Sequence, residues 1–169
     1  MAQRSRVILS QIITIQPLTA RAFAPFGDVI SFDDEADKII NQGLCGRFHD
    51  RANLTHHDGR AGISLFDAKP RSLPYQLDML ERHPLGSQAF LPMTANPFLV
   101  IVAPDDNGQP GQPLAFMTAP FMGVNYHANI WHGVLTPLSA PGRFAVIDRI
   151  GTGDNLEEFW LKESLIIQE

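Results

Sequence analysis

Residues 81–90 read Glu81-Arg82-His83-Pro84-Leu85-Gly86-Ser87-Gln88-Ala89-Phe90. Side chains alternate between the two faces of a strand, so Glu81 and His83 share one face while Arg82 points to the other. Pro84 and Gly86 supply a turn, and Gln88 and Phe90 start the returning strand. Read this way, the stretch is a hairpin on which Glu81, His83 and Gln88 converge. A polar hairpin with Glu81 and Arg82 in solvent has the same spacing. On either reading Arg82 faces outward, as a surface or dimer-interface cation.

A second stretch, Gly123-Val124-Asn125-Tyr126-His127-Ala128-Asn129-Ile130-Trp131-His132, packs two His, two Asn, a Tyr and a Trp together. A plain core strand has no use for so many hydrogen-bonding groups, because each needs a partner once buried. The alternative is a surface turn anchored by Trp131.

The rest of the chain gives both stretches a β framework. Pro and Gly number thirteen each and are spread throughout the 169 residues. Helix interiors exclude Pro and disfavour Gly, so a helical bundle is ruled out. Strands are expected over Ile8 to Gln16, Val29 to Phe32, Asn41 to His49, Gly62 to Phe66, Leu114 to Thr118 and Phe144 to Ile150. Phe98 to Ala103 is apolar throughout, as in a strand buried on both faces. Pro104-Asp105-Asp106-Asn107-Gly108 is the clearest turn. Thr19 is placed to cap a short helix over Ala20 to Phe26. Asp33 to Lys38 reads as a loop, Leu73 to Leu80 as a short helix or a strand, and Glu157 to Ile166 as a terminal helix or irregular tail. Many short segments punctuated by turns predict an all-β sandwich or barrel with a few short helices. Length and the absence of a linker predict one domain over residues 1–169.

Thirteen Lys and Arg against eighteen Asp and Glu give a net charge of −5. Phosphate binding needs clustered cations, so neither nucleic acid nor an anionic membrane is expected as the main partner. The longest apolar run, Phe98 to Ala103, is far short of the ~20 residues of a membrane helix. The N-terminal stretch lacks the long apolar core of a signal peptide. The single cysteine, Cys45, rules out an internal disulfide and fits a reducing cytoplasm; it is expected to be a small buried residue. His56 and His57 sit in a polar run and are expected in a solvated loop. Trp131 is expected in the core.

The spacing of the first stretch resembles the first cupin motif, His-x-His-x4-Glu, here Glu81-x-His83-x4-Gln88. The second cupin motif ends in a single His, matched by His127-Ala128-Asn129-Ile130-Trp131-His132. The fuller resemblance is to ureidoglycolate lyase, also called ureidoglycolate hydrolase, a cupin-like enzyme family of allantoin and purine breakdown. It covers Pro17-Leu18-Thr19, Ala22 to Ile30, Arg47-Phe48-His49-Asp50, Glu81 to Phe90, Gly123 to His127, Trp131-His132, Ile147-Asp148-Arg149 and Asp154-Asn155. One position departs: some members carry a second His after Trp-His, where this chain has Gly133.

The resemblance implies a cupin-like jelly-roll β-barrel with the site inside it. It implies a carbon–nitrogen lyase, and a homodimer, that cleaves (S)-ureidoglycolate to glyoxylate and urea. The expected catalytic residues are Glu81, His83 and His132. The expected substrate-binding residues are Gln88, Asn125, Tyr126 and His127, with Arg47 and Arg149 as carboxylate anchors, since Arg binds carboxylates through two parallel hydrogen bonds. Glu81, His83, His132 and Gln88 are the expected ligands of a divalent metal, nickel first, with manganese or zinc as alternatives. Three rival readings stay open: a hydrolase releasing ammonia, another metal-dependent cupin enzyme, and a non-catalytic module that binds small carboxylates.

Overall fold

A computed structural model of the chain describes residues 12–32 and 34–169. In chain order the elements are β1 (Ile12–Pro17), α1 (Ala20–Phe23), β2 (Gly27–Ile30), β3 (Lys38–Ile40), a single 3-10 turn (Asn41–Gly43), β4 (Cys45–Arg47), β5 (Arg60–Ala68) and β6 (Tyr75–Arg82). There follow β7 (Gln88–Pro92), β8 (Phe98–Ala103), β9 (Asp105–Asp106), β10 (Gln109–Pro110), β11 (Leu114–Met117) and β12 (Gly123–Tyr126). The chain finishes with β13 (Trp131–His132), β14 (Thr136–Pro137), β15 (Gly142–Ile150) and β16 (Glu157–Gln168).

Two sheets carry the fold. The larger runs β11-β1-β16-β6-β13-β8-β14, and because β11 also pairs with β8 it closes into a ring of six strands. The smaller runs β2-β12-β7-β15-β5 and packs against the outside of that ring. The architecture is the expected all-β, cupin-like jelly roll.

The closed ring explains the apolar run at Phe98–Ala103. Leu99, Ile101 and Ala103 face the ring core with Leu77, Leu80, Trp131 and Ile167. Phe98, Val100 and Val102 face the other way, into a layer shared with Phe90, Val124, Tyr126, Phe144 and Val146 of the smaller sheet. A strand buried on both faces needs apolar side chains at every position, and all six residues of β8 are buried.

The sequence reading is corrected at several elements. Glu81-to-Phe90 is not a hairpin: β6 pairs with β13 and β16, whereas β7 pairs with β12 and β15, so the turn at 83–87 crosses from one sheet to the other. Both strands still face the layer between the sheets, which is why Glu81, His83 and Gln88 meet across a crossover. The expected terminal helix or tail is strand β16, and its register shift between Trp160 and Leu165 breaks the alternation that would have marked it. Of the two readings of Leu73 to Leu80, the strand is the one that forms, as β6 over Tyr75–Arg82. Asn41 to His49 is mostly turn because Asn41 and Gln42 adopt φ of 53° and 58°, which no strand tolerates. The short helix expected after Thr19 forms as a single turn, Ala20–Phe23, and the Thr19 hydroxyl accepts from the Ala22 N–H at 3.2 Å as a cap should. Cys45 is exposed.

The turn after Pro104 forms as read, with Asn107 and Gly108 at φ of 53° and 82° joining β9 and β10. Residues 8–11 of the first expected strand, and Asp33, lie outside the described residues. Among the described residues, no helix is long and apolar enough to cross a membrane.

Ile167 is fully buried in the ring core and belongs to the strand that bridges β1 and β6. Ile167→Ala should cost about 2–5 kcal/mol in urea or thermal unfolding, the range for a large-to-small change at a packed site. A loss below about 0.5 kcal/mol, typical of surface positions, would show that β16 does not close the ring.

Candidate active site

The site begins with strand register. His132 lies directly opposite Glu81 across the β13–β6 pair, so both side chains emerge on the same face. That face is the layer between the sheets, because the neighbouring Trp131 and Leu80 point into the ring core. His83 follows the end of β6; its carbonyl accepts the Asn129 N–H at 2.8 Å, which ties the turn to the second stretch. One ligand atom from each of Glu81, His83 and His132 lies within 4.8 Å of the others. The two imidazoles are 5.3 Å apart, and Tyr126 stacks on His132 at 4.3 Å with the planes 4° apart.

Both imidazoles are oriented by backbone oxygens. His83 Nδ1 donates to the Asn155 carbonyl at 2.6 Å, and His132 Nδ1 donates to the Gly133 carbonyl at 3.0 Å. Fixing the proton on Nδ1 leaves a lone pair on each Nε2. Both Nε2 atoms are buried and have no hydrogen-bond partner. Gln88 sits opposite Tyr126 on the facing sheet, and its Oε1 is likewise buried without a partner. Buried polar atoms normally find partners, so this group is arranged for a ligand.

Burial also sets the charges. It pushes the Glu81 carboxyl above its ordinary range; the His83 imidazole partly offsets this, and Glu158, directly opposite on β16, adds to it. Burial, with His83 beside it, drives His132 down to about 3 against the opposing pull of the Gly133 carbonyl. Tyr126 is raised by burial and by Glu81. At neutral pH His132 is therefore neutral, and it stands beside a carboxyl group whose proton affinity is raised.

Among the remaining expected residues, Tyr126 joins this group and the others are engaged elsewhere. Asn125 alternates with Tyr126 and faces the far side of its sheet; it donates to Asp28 Oδ2 at 2.9 Å, as His127 Nε2 does at 3.1 Å. Arg47 is exposed on the small β3–β4 hairpin and donates to His49 Nδ1 at 3.0 Å. The Arg149 guanidinium binds the carbonyls of His57, Asp58 and Thr152, clamping two loops together. Arg82 points away from the triad, as expected, but it is held rather than free. It pairs with Glu157 at 2.6 Å and Asp105 at 2.8 Å, and its guanidinium lies 4.3 Å over the Trp131 ring. His56 and His57 are exposed, and Trp131 is buried.

Sequence reasoning missed Asn155. Its carbonyl fixes His83, and its side-chain oxygen accepts the Leu85 N–H at 2.7 Å. A backbone acceptor leaves no mark in a sequence; only the Asp154-Asn155 match pointed to this place. The departure at Gly133 is also explained. A Cβ there would come within 3.1 Å of Ile101 in the ring core, so this position faces away from the triad. A cleft of about 540 Å³ opens beside Asp28, His49, Asp50 and Arg51, but no triad residue lines it. The unpartnered lone pairs and shifted groups, rather than that cleft, mark the chemistry.

The low His132 value has a consequence for stability. The unfolded chain takes up a proton on this residue below about 6.5, which the folded chain refuses until about 3. The contribution of His132 is therefore present above pH 6.5 and is lost as pH falls toward 3. The raised Glu81 acts in the opposite sense, weakening the fold as pH rises through its ordinary range. His132→Gln should accordingly lose less stability than the parent between pH 6.5 and pH 4, by on the order of 1–3 kcal/mol in urea unfolding. Equal losses in both proteins would rule out a neutral, buried His132.

Comparison with known proteins identifies the family. The family model described as ureidoglycolate lyase matches residues 10–168. The chain is 59% identical over 157 residues to a protein of Rhodobacter capsulatus named ureidoglycolate lyase, covering 92% of this chain and 98% of that one. It is 52% identical to ureidoglycolate lyase 2 of Rhizobium meliloti over 153 residues, covering 89% and 94% of the two chains. It is 45% identical to the ureidoglycolate lyase of Rhizobium etli over 163 residues, covering 95% and 98%. With the family model spanning almost the whole chain and the triad formed on the stretches that carry the likeness, the chain belongs to the ureidoglycolate lyase family.

Proposed function

We propose that this chain cleaves (S)-ureidoglycolate to glyoxylate and urea at Glu81, His83 and His132. The observation that carries the reading is the pair of backbone-pinned imidazoles with free Nε2 atoms beside a half-buried carboxyl group of raised proton affinity.

The substrate is a carbinolamide: one carbon bears a hydroxyl, a carboxylate and a ureido nitrogen. Cleavage moves one proton from the hydroxyl to the departing nitrogen while the C–N bond breaks and the C=O bond forms. No water is consumed, so one group that accepts and then returns a proton suffices. Glu81 fills this role, since its raised proton affinity brings it nearer to working pH. His132 stays neutral, and its Nε2 accepts a hydrogen bond or binds a cation. His83 keeps a lone pair on Nε2 because the Asn155 carbonyl holds its other nitrogen. Tyr126 braces the His132 ring by stacking and closes one wall. Gln88 offers its amide oxygen from the facing sheet to orient the ureido group.

The donor set suits a divalent metal, because two imidazole lone pairs and a carboxylate lie together without protein partners. The Nε2 atoms of His83 and His132 and the Glu81 carboxylate would hold it, nickel first, manganese or zinc next. When bound, such an ion withdraws charge from substrate oxygens and lowers the proton affinity of the hydroxyl.

The working form is proposed to be a cytoplasmic homodimer built from one domain. Support for the dimer comes from the outer face of the smaller sheet, where edge strand β5 leaves Ile63 75% and Leu65 73% exposed. The exposed free thiol of Cys45 suits a reducing compartment.

Product analysis tests the reaction. Freshly made ureidoglycolate should give glyoxylate with stoichiometric urea, and a chelator that abolishes turnover would establish the metal. Glyoxylate with ammonia and no urea would make the chain a hydrolase. No glyoxylate above the spontaneous rate, even with added metal, would overturn the assignment and favour a binding module. Glu81→Gln should lower kcat/KM by about 10²–10⁴-fold, the typical worth of a general base. The same change should leave the melting temperature equal or higher near pH 8, because it removes a charge that burial disfavours. Parallel losses of activity and stability would make Glu81 structural instead.

A further inference from the structure

The mechanism leaves one half-buried acidic group, Asp148, unused. Asp148 lies on β15, where Phe144 and Val146 face the layer between the sheets. Alternation turns Asp148, two residues further on, to the same face. The β15–β7 register pairs Val146 with Phe90 and Ile147 with Ala89, so its next step sets Asp148 opposite Gln88. Gln88 in turn lies opposite Tyr126, which stacks on His132. Asp148, Gln88 and Tyr126 thus form a row across the smaller sheet, facing the triad on the other.

Asp148 Oδ1 is buried without a hydrogen-bond partner, and no ion pair among the described residues includes Asp148. A carboxylate left this way is costly unless a ligand completes it. The unpartnered buried atoms facing this layer are His83 Nε2, His132 Nε2, Gln88 Oε1 and Asp148 Oδ1. With the imidazole protons fixed on Nδ1, all four are acceptors. The two Nε2 atoms can take a cation or a donor, whereas Gln88 Oε1 and Asp148 Oδ1 on the other wall are left for a ligand that supplies donors. A ureido group is planar, carries three N–H bonds and presents two of them in parallel along one edge. That edge matches a carboxylate as a guanidinium does.

We infer that Asp148 and Gln88 are the specificity-determining acceptors for the ureido N–H groups of the substrate. The triad then handles the hydroxyl-bearing carbon from the opposite sheet. This inference rests on the ureidoglycolate reading and adds to it the wall that recognises the leaving urea.

The test uses the full-length wild-type protein and Asp148→Asn, which keeps the side-chain shape but replaces one acceptor by a donor; Asp148→Ser serves if the amide disturbs folding. Two inhibitors separate the halves of the site. Hydantoate, a stable ureido acid without the hydroxyl, reports the ureido wall, whereas glyoxylate has no ureido group. Asp148→Asn is expected to raise KM for ureidoglycolate and Ki for hydantoate roughly tenfold or more, leaving Ki for glyoxylate within about twofold. An unchanged hydantoate Ki overturns the inference, and so does equal weakening of both inhibitors. If the wild-type protein shows no turnover, the activity reading has failed by itself, and calorimetric titration of hydantoate into both proteins still decides the inference. Tenfold weaker binding in the variant supports it; equal binding, or no binding to the wild type, overturns it.

Discussion

The two-residue strand β13 sets the register on which both the ring and the site depend. It fills the gap between β6 and β8, with His132 opposite Glu81 on one side and opposite Val102 on the other. A slip of one residue would exchange the faces of Trp131 and His132. Trp131 would leave the ring core, and His132 would leave Glu81. Several contacts prevent this. The Trp131 indole donates to Asp105 at 2.9 Å, Arg82 covers its ring, and the Gly133 N–H donates to the Ile101 carbonyl at 2.9 Å. Arg82 therefore has a structural explanation: covering Trp131 and paired with Asp105 and Glu157, it holds the strand that delivers His132.

Fixed register allows polar groups to be kept in a dry layer at a tolerable cost. An unpaired buried acceptor costs about 1–3 kcal/mol, and several lie around the triad. Such a cost persists only where the surroundings over-determine the geometry. Here the Asn155 and Gly133 carbonyls orient the imidazoles, and Tyr126 stacks on one of them. The same burial that leaves the lone pairs unpartnered keeps His132 neutral and makes Glu81 more basic. Binding capacity and acid–base tuning thus share one physical cause.

Much of this was legible in the sequence. Pro and Gly spacing argued against a bundle, the run at Phe98–Ala103 marked a strand with two dry faces, and the resemblance to the cupin motifs pointed to Glu81, His83, Gln88 and His132. Other features could not be read because they depend on partners remote in sequence. The hairpin reading of residues 81–90 failed because alternation reports faces, not which strand lies alongside. The C-terminal strand was hidden by its register shift, which interrupts the period-two pattern. Asn125 and His127 looked like site residues from composition, yet the pleat that turns Tyr126 inward turns Asn125 outward to Asp28. Arg149 has the right chemistry for a carboxylate, but its donors are occupied by loop carbonyls.

The crossover at residues 83–87 also explains why the site forms only in the completed fold. Each sheet contributes one wall, and this turn is one of the covalent links between them. It is held from two directions: the loop at 55–57 exchanges backbone hydrogen bonds with Leu85 and Ser87, and Asn155 grips His83 and Leu85. Asn155 lies two residues before β16, the strand that bridges β1 and β6 in the ring. Ring closure therefore brings in the carbonyl that fixes the His83 proton on Nδ1. Without that acceptor His83 could carry its proton on either nitrogen, and its Nε2 lone pair would no longer be committed to the triad. The segment least legible from the sequence thus both closes the barrel and sets the tautomer on which the site depends.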